Sequence, residues 1–102
     1  MKWISEYVIC ICTAYCPCSE CTDGDGITAT GRDASLPGVA VDPSVIPLGC
    51  RIDIPGYSRT KNGSWVLADD TGSAINGYEL DLRMESHQEA KDYGRRRLRV
   101  LS

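Results

Sequence analysis

The chain has 102 residues, of which 42% are hydrophobic and 25% are charged. This length predicts a single domain over residues 1–102, and this composition excludes an intrinsically disordered chain. With a net charge of −3, the chain lacks the basic excess that is typical of nucleic-acid-binding proteins. No apolar run in the sequence approaches the roughly 20 residues that a membrane-spanning helix needs.

Short strands separated by turns dominate the pattern along the chain. Alternating or β-branched segments predict strands at residues 7–15, 38–41, 51–54, 65–68, 78–82 and 97–101. Asp42 and Pro43 indicate the start of a turn or short helix. A helix is predicted over 86–93, because Ser86 and Glu89 form a capping box and Gly94 follows the last turn. The fold class is therefore mostly β, a small barrel or sandwich with one or two short helices.

The cysteines allow two interpretations. Five of the six lie within the first 21 residues, a density typical of disulfides in an oxidising compartment or of a metal site in a reducing one. Only Cys18 and Cys21 have the C-x2-C spacing of zinc sites. The candidate zinc ligands are Cys16, Cys18, Cys21 and Cys50. Disulfide pairing and zinc binding both stay open at this point.

The carboxylates near residue 70 are the main candidates for chemistry. Asp69 and Asp70 are neighbours at the end of a predicted strand, so only one of them can face a given cleft. Gly72 and Gly77 allow the chain to turn back and bring Asp81 alongside Asp70. Two carboxylates in one cleft of low dielectric raise the pKa of one of them, which suits a general acid. Acidic residues at strand ends also cap turns, which is the structural alternative.

Residues 70–73 match the D-T-G-S signature of aspartic proteases. A chain of this length with one such motif suggests half of a dimeric protease, in which two aspartates share a proton. The position of the motif argues against this alternative. In such proteases most of the fold follows the motif, whereas here only residues 71–102 follow it.

A second pattern runs through nearly the whole chain in order. Its segments are TAYCPC at 13–18, TATG at 28–31, VAVDP at 39–43, VIPLG at 45–49, ADDTG at 68–72, LDL at 80–82 and SH at 86–87, with Gly94 and Arg95. This series resembles the 3D domain family, which is named for three aspartates and is related to the catalytic part of membrane-bound lytic transglycosylase A and to stationary-phase cell-wall proteins. The resemblance implies a six-stranded double-psi β-barrel. It also implies cleavage of the β-1,4 bond between N-acetylmuramic acid (MurNAc) and N-acetylglucosamine (GlcNAc) in peptidoglycan, with formation of 1,6-anhydro-MurNAc.

The three aspartates of the family correspond to Asp42, Asp70 and Asp81. The resemblance implies that Asp81 is the single general acid and base, that Asp70 tunes it or orients the substrate, and that Asp42 shapes the groove. It implies no metal and no cofactor. The family usually has D-T-G-G-A-I-K-G, where this chain has Ser73 and Asn76 in place of a glycine and the lysine. The lost lysine removes a cation near the groove.

Four further residues are candidates for substrate binding. Tyr15 is expected either to stack on a sugar ring or to pack within the fold. Thr30 has the same two alternatives. Gly72 and Ser73 follow Asp70 in the turn and are expected to line the groove.

The expected partner is the glycan strand of peptidoglycan, bound by a monomer. The first residues do not match a classical export signal. We therefore expect delivery to the cell wall by a phage or prophage lysis route, by another route, or as a segment trimmed from a longer protein. The main alternative function is a non-catalytic glycan-binding module on the same barrel.

Overall fold

The computed structural model describes residues 7–16, 26–57 and 65–101. Across these residues the fold is mostly β, with six strands and one short helix. In chain order the elements are β1 (Tyr7–Tyr15), β2 (Val39–Val41), β3 (Arg51–Asp53), β4 (Trp65–Thr71), β5 (Glu79–Arg83), α1 (His87–Tyr93) and β6 (Arg96–Leu101). No helix in this part of the chain is long and apolar enough to span a membrane.

The strands form one curled sheet in the order β1-β5-β2-β4-β3-β6, which closes into a barrel. The pairs β1–β5 and β2–β4 are parallel. The pairs β1–β6, β2–β5, β3–β4 and β3–β6 are antiparallel. Between β3 and β6 the recorded pair is Asp53 with Leu101. The first strand therefore lies between β5 and the last strand of the chain.

Alternation along the strands separates the core from the outer surface. Leu80 and Leu82 of β5 are fully buried, whereas Asp81 between them lies on the opposite face and is half-buried. This confirms the sequence prediction for that strand. Val39 of β2 pairs with Leu82 and extends the same buried layer. Each such aliphatic side chain contributes about 1.5–3 kcal/mol when it is fully buried.

A β-bulge in β4 breaks the alternation at Asp69. Val39 pairs with Ala68, but the next residue of β2, Ala40, pairs with Asp70. Asp69 is therefore the extra residue of the bulge. Ala68 and Asp69 are both buried as a result, with 0% and 1% of their surface exposed. The predicted strand ended at Ala68, whereas β4 continues through the bulge to Thr71.

The helix α1 begins and ends where its capping residues predict. The Ser86 side chain accepts a hydrogen bond from the Glu89 backbone N–H, and Gly94 has a φ of +70° just after the last turn. Ala90 and Tyr93 are its buried residues and join the core. At Asp42 the chain forms a turn in which the Ile46 N–H donates to the Asp42 carbonyl, so the helix that was the alternative there does not form.

Candidate functional site

A row of four residues crosses the outer face of the barrel. Thr13 of β1 pairs with Asp81 of β5, Asp81 pairs with Ala40 of β2, and Ala40 pairs with Asp70 of β4. Residues that pair directly across strands point to the same face of a sheet. The row therefore presents both carboxylates on one surface, opposite the face that carries Leu80 and Leu82. Ala40 is the small residue between them.

The two carboxylates come together by a different route from the predicted one. The turn through Gly72 and Gly77 was expected to set Asp81 directly beside Asp70. In the structure β2 lies between β5 and β4, so the two backbones are separated by two strand spacings, about 10 Å. Non-local pairing with Ala40, rather than the local turn, aligns Asp70 with Asp81.

Asp81 is a half-buried carboxyl on this face. Burial raises its pKa above the ordinary aspartate value, and a hydrogen bond from Thr13 partly opposes that rise. The Thr13 Oγ1 hydroxyl donates to Asp81 Oδ1 at 3.0 Å. The sequence prediction attributed a raised pKa to repulsion from a second carboxylate, whereas the structure assigns it to desolvation. Asp81 therefore keeps its proton to a higher pH than an exposed aspartate does.

Asp70 is held by three donors from three parts of the chain. Its Oδ1 accepts hydrogen bonds from the Ala29 N–H at 3.0 Å and the Thr71 N–H at 2.9 Å. Its Oδ2 accepts one from the Tyr15 hydroxyl at 3.4 Å. These contacts fix the orientation of the Asp70 carboxylate, which suits a residue that positions a substrate or a neighbouring group.

Tyr15 connects Asp70 to a buried arginine. Tyr15 pairs with Arg83 across β1 and β5, one step along the same face from the row. Its hydroxyl donates to Asp70 and accepts from Arg83 Nη1 at 3.2 Å. Burial raises the pKa of Tyr15 to about 12. The hydroxyl is thus engaged within the protein, and stacking of its half-buried ring on a sugar stays a prediction.

A buried ion pair between Arg83 and Asp69 supports this arrangement, and the sequence reasoning missed it. Arg83 Nη1 and Nη2 contact Asp69 Oδ1 and Oδ2 at 3.1 and 2.7 Å, and both side chains are at most 1% exposed. Arg32 also reaches Asp69 Oδ2 at 2.5 Å. Burial alone lowers the pKa of Arg83, but its bonds to Asp69 and Tyr15 outweigh burial and raise it. The acidic doublet at 69–70 was the one signal in the sequence.

The loop of residues 26–38 is tied to the end of β4. Thr30 donates from its N–H at 3.2 Å and from its hydroxyl at 3.0 Å to the Asp69 carbonyl. Thr28 shares a hydrogen bond with the Thr30 hydroxyl. Thr30 is exposed and its hydroxyl anchors the loop, and its contact with substrate stays a prediction.

Asp42, which follows β2, is hydrogen-bonded to the loop that joins β4 to β5. Its Oδ2 accepts from the Gly77 N–H at 2.8 Å, and its Oδ1 accepts from the Ser44 hydroxyl and N–H at 2.6 and 3.0 Å. The Ser44 hydroxyl, followed by the Gly77 and Ser44 backbone donors, lowers the pKa of Asp42. Gly72 and Ser73 are exposed on the loop that Asp42 holds. The Asp42 carboxylate is thus favoured in its ionised form and holds this loop in place, consistent with shaping a groove.

The cysteines divide into two kinds. Cys16 is disulfide-bonded, so its sulfur is not available as a zinc thiolate. Cys10, Cys12 and Cys50 are buried thiols, and burial raises the pKa of Cys10 to about 11 and that of Cys12 to about 12. Within residues 7–16, 26–57 and 65–101, no group of three or more His, Cys, Asp or Glu side chains is placed to hold a metal. Cys18 and Cys21 lie outside the described residues.

The chain belongs to the 3D domain family, because the model of that family, described as "3D domain", matches residues 38–102. The resemblance in the sequence is thereby confirmed. The match begins just before β2 and covers every strand that contributes an aspartate to the site.

Curated proteins of Bacillus subtilis (strain 168) are similar to this chain. The chain is 36% identical over 93 residues to "Putative cell wall shaping protein YabE", which covers 86% of this chain and 21% of that protein. It is 38% identical over 73 residues to "Cell wall-binding protein YocH", with 68% of this chain and 23% of that protein covered. It is 37% identical over 102 residues to "SPbeta prophage-derived uncharacterized protein YorM", with 93% and 40% covered. The chain thus spans between a fifth and two fifths of the length of these relatives.

Proposed function

We propose that this chain is a peptidoglycan lytic transglycosylase with Asp81 as its single general acid and base. The observation that carries the proposal is the state of the Asp81 carboxyl. It is half-buried on the outer face of the barrel, and its burial favours the protonated form. A general acid must hold a proton at working pH and release it to a leaving group, which is what a raised carboxyl pKa permits.

The proposed reaction uses one carboxyl twice. Protonated Asp81 donates its proton to the glycosidic oxygen as the bond to C1 of MurNAc breaks through an oxocarbenium-like transition state. The resulting carboxylate then takes the proton from the C6 hydroxyl of the same sugar. The C6 oxygen bonds to C1, which gives the 1,6-anhydro product and returns Asp81 to its protonated form. The reaction consumes no water and requires no cofactor.

The neighbours of Asp81 are proposed to position the substrate. The Asp70 carboxylate is fixed by three hydrogen bonds on the same face and is suited to orient the sugar hydroxyls. Ala40, the small residue between the two carboxylates, is itself only 4% exposed, so the substrate is proposed to contact the carboxylates on either side of it, in the space between them. The exposed loop residues Gly72 and Ser73, held by Asp42, line one side of this space, and Thr30 lines the other.

We also infer the type of barrel, the bounds of the domain and the oligomeric state. The parallel pairs β1–β5 and β2–β4 within a six-stranded ring support a double-psi barrel. One domain over residues 1–102 is supported because β1 lies inside the ring, although the family model begins at residue 38. The monomeric state stays a proposal.

The cell wall is the proposed place of action. Two relatives carry the printed names "cell wall shaping" and "cell wall-binding" protein, which supports peptidoglycan as the partner. The prophage-derived relative is compatible with the expected phage or prophage lysis route. Membership of the 3D domain family favours this setting over the dimeric aspartic protease.

A binding module is the second candidate function. The relative named as a cell wall-binding protein favours it, and a shared fold does not by itself establish catalysis. In this case the row of Thr13, Asp81, Ala40 and Asp70 binds the glycan strand without cleaving it.

The deciding experiment is mass spectrometry of soluble fragments released from purified intact peptidoglycan. The wild type is compared with Asp81→Asn, which keeps the size of the side chain and an acceptor for Thr13. Asp53→Asn is the matched control, because Asp53 is a half-buried strand aspartate in β3, three strands away around the ring. We expect anhydro-MurNAc ends from the wild type and from Asp53→Asn, and none from Asp81→Asn.

Two other results would contradict the proposed transglycosylase activity. Reducing ends would mean that water attacks C1, so that the protein is a hydrolase with a second working carboxylate, Asp70. No fragments from any variant, with the protein sedimenting on the peptidoglycan, would reject the enzyme and support the binding module.

A further inference from the structure

The outer face of β1 continues beyond the aspartate row. Ile9, Ile11 and Thr13 alternate with the buried Cys10 and Cys12, so they lie on one face. Ile9 is 51% exposed. Successive residues on a strand face are about 6.6–6.8 Å apart, so Ile11 lies one such step from the row and Ile9 lies two steps from it.

Two arginines of β6 stand opposite these isoleucines. Arg99 pairs with Ile9, and Arg97 pairs with Ile11. Both arginines are exposed. Cross-strand partners have Cβ atoms about 4.5–5.5 Å apart, so each arginine is the neighbour of an isoleucine on this face. These four residues, Ile9, Ile11, Arg97 and Arg99, form what we term the basic strip.

Two consecutive residues lie beside Ile11 on the β5 side, Tyr78 through its backbone and Glu79 as the cross-strand partner. Tyr78 is 52% exposed, and its carbonyl accepts the Ile11 N–H at 3.0 Å. Glu79 pairs with Ile11 on the β5 side, and its Oε1 accepts the Asn76 N–H at 2.8 Å. The strip thus joins two cations to exposed apolar surface in a chain whose net charge is −3.

We propose that the basic strip binds the peptide carried by the MurNAc residue that occupies the aspartate row. This inference rests on the proposed function, because it takes the row as the sugar site. The peptide substituent of MurNAc bears free carboxylates and small aliphatic side chains. Arg97 and Arg99 complement the carboxylates, and Ile9 and Ile11 complement the aliphatic groups.

The length of the strip fits such a peptide. An extended chain rises about 3.3 Å per residue, so the two steps from the row to Ile9 correspond to about four residues. A polymer of phosphodiesters is a poorer fit, since it would use the two cations and leave the exposed Ile9 and the half-buried Ile11 without a counterpart. Continuity with the row also favours a ligand that is covalently attached to the sugar.

The test measures binding, so it does not depend on catalysis. The probes are the GlcNAc–MurNAc disaccharide with a tetrapeptide and the same disaccharide without peptide, titrated by calorimetry and by amide NMR shifts. The variant is Arg97→Gln/Arg99→Gln, which takes the net charge from −3 to −5. Lys91→Glu on α1 makes the same change in net charge at an exposed site outside the strip. Thermal unfolding confirms that both variants fold.

We expect the wild type to bind the tetrapeptide probe more tightly than the peptide-free probe. The arginine variant should lose about 2- to 30-fold in affinity for the tetrapeptide probe, the range of two exposed ion pairs. It should keep its affinity for the peptide-free probe, and Lys91→Glu should keep both. Amide shifts on binding should extend from Thr13 to Ile9.

Three results would overturn the inference. One is equal affinity of the wild type for the two probes. Another is a loss in Lys91→Glu as large as in the arginine variant, because that would reflect net charge alone. The third is a polyglycerol phosphate polymer whose binding depends on Arg97 and Arg99 while tetrapeptide binding does not. Failure of the proposed function is seen separately, as the absence of anhydro ends in the fragment assay.

Discussion

Replacing Asp69 with asparagine should destabilise the protein strongly, although Asp69 is not one of the three family aspartates. Asp69 accepts two contacts from Arg83 and one from Arg32. The Arg83 side chain is 0% exposed. Asparagine has nearly the same size but no charge, so the substitution leaves the guanidinium of Arg83 in the interior without its counterion.

The expected cost follows from that burial. Removing one partner of a buried ion pair costs about 3–5 kcal/mol, against a total stability of about 5–15 kcal/mol for a domain. At about 4–8 °C per kcal/mol for a chain of this size, the Tm falls by at least about 12 °C. With an m-value of about 1–3 kcal/mol/M, the urea midpoint falls by at least about 1 M.

Urea denaturation monitored by circular dichroism measures the loss, and Arg32→Gln is the control. Arg32 contacts the same Asp69 oxygen, but its side chain is 30% exposed, so its removal should cost only about 0.2–1 kcal/mol. The double variant Asp69→Leu/Arg83→Met removes both charges and should be more stable than Asp69→Asn alone. A loss below about 1 kcal/mol in Asp69→Asn, with an unchanged m-value, would refute the argument that the pair is desolvated.

Three other substitutions probe the site itself. Asp81→Asn should raise the free energy of unfolding near pH 7, because burial raises the folded pKa of Asp81 and thus penalises its charged form. Below the ordinary aspartate pKa the wild-type carboxyl is protonated in both the folded and the unfolded state, so the gain should vanish there. Unfolding measured across pH follows both effects. Thr13→Val removes the hydrogen bond that lowers the pKa of Asp81, so the carboxyl should titrate at a higher pH by ¹³C NMR. Gly38→Ala should lower the free energy of unfolding by at least about 1–3 kcal/mol in urea, because the new Cβ would meet Arg83 Nη2 and the Asp69 carboxylate oxygens, the latter at 2.5 Å.

Each of these changes has a matched control. Asp53→Asn should leave unfolding near pH 7 almost unchanged, and lower stability in Asp81→Asn than in the wild type would contradict desolvation as the cause. Thr13→Ser keeps the hydroxyl and should keep the titration of Asp81, so an equal shift in both variants would exclude the hydrogen bond. Gly72→Ala adds a Cβ that meets Ile75 Cγ1 at 3.1 Å, and it should be milder than Gly38→Ala.

Local signals in the sequence predict the individual elements well. The alternation in residues 78–82 correctly sets Asp81 on the face opposite Leu80 and Leu82. The capping box at Ser86 and Glu89 correctly marks the start of the helix. Both signals are local, since they depend on side chains within one strand or one turn.

The parts that sequence reasoning missed depend on strand order and register. Ala40 aligns Asp70 with Asp81 only because β2 lies between the strands that carry them, and no local pattern encodes that neighbour. The burial of Arg83 depends on its ion pair with Asp69, the extra residue of the bulge, which reaches the side of the sheet that carries Tyr15 and Asp70. When Asp69 is not known to be its partner, the sequence predicts that Arg83 is an exposed polar residue at the end of an alternating strand, because an arginine is seldom fully buried. Desolvation of Asp81 is likewise a property of the assembled sheet.

The position of β1 has a consequence for how the molecule reaches its folded state. Residue 7 pairs with residue 101, and residue 12 pairs with residue 96, so the barrel cannot close until the two ends of this segment meet. Contacts between residues so distant in sequence slow the search for the native state. During synthesis, β1 is made before β6 and cannot pair with it until β6 has been made. A fragment that starts at residue 38 would leave two strand edges open to intermolecular pairing and aggregation.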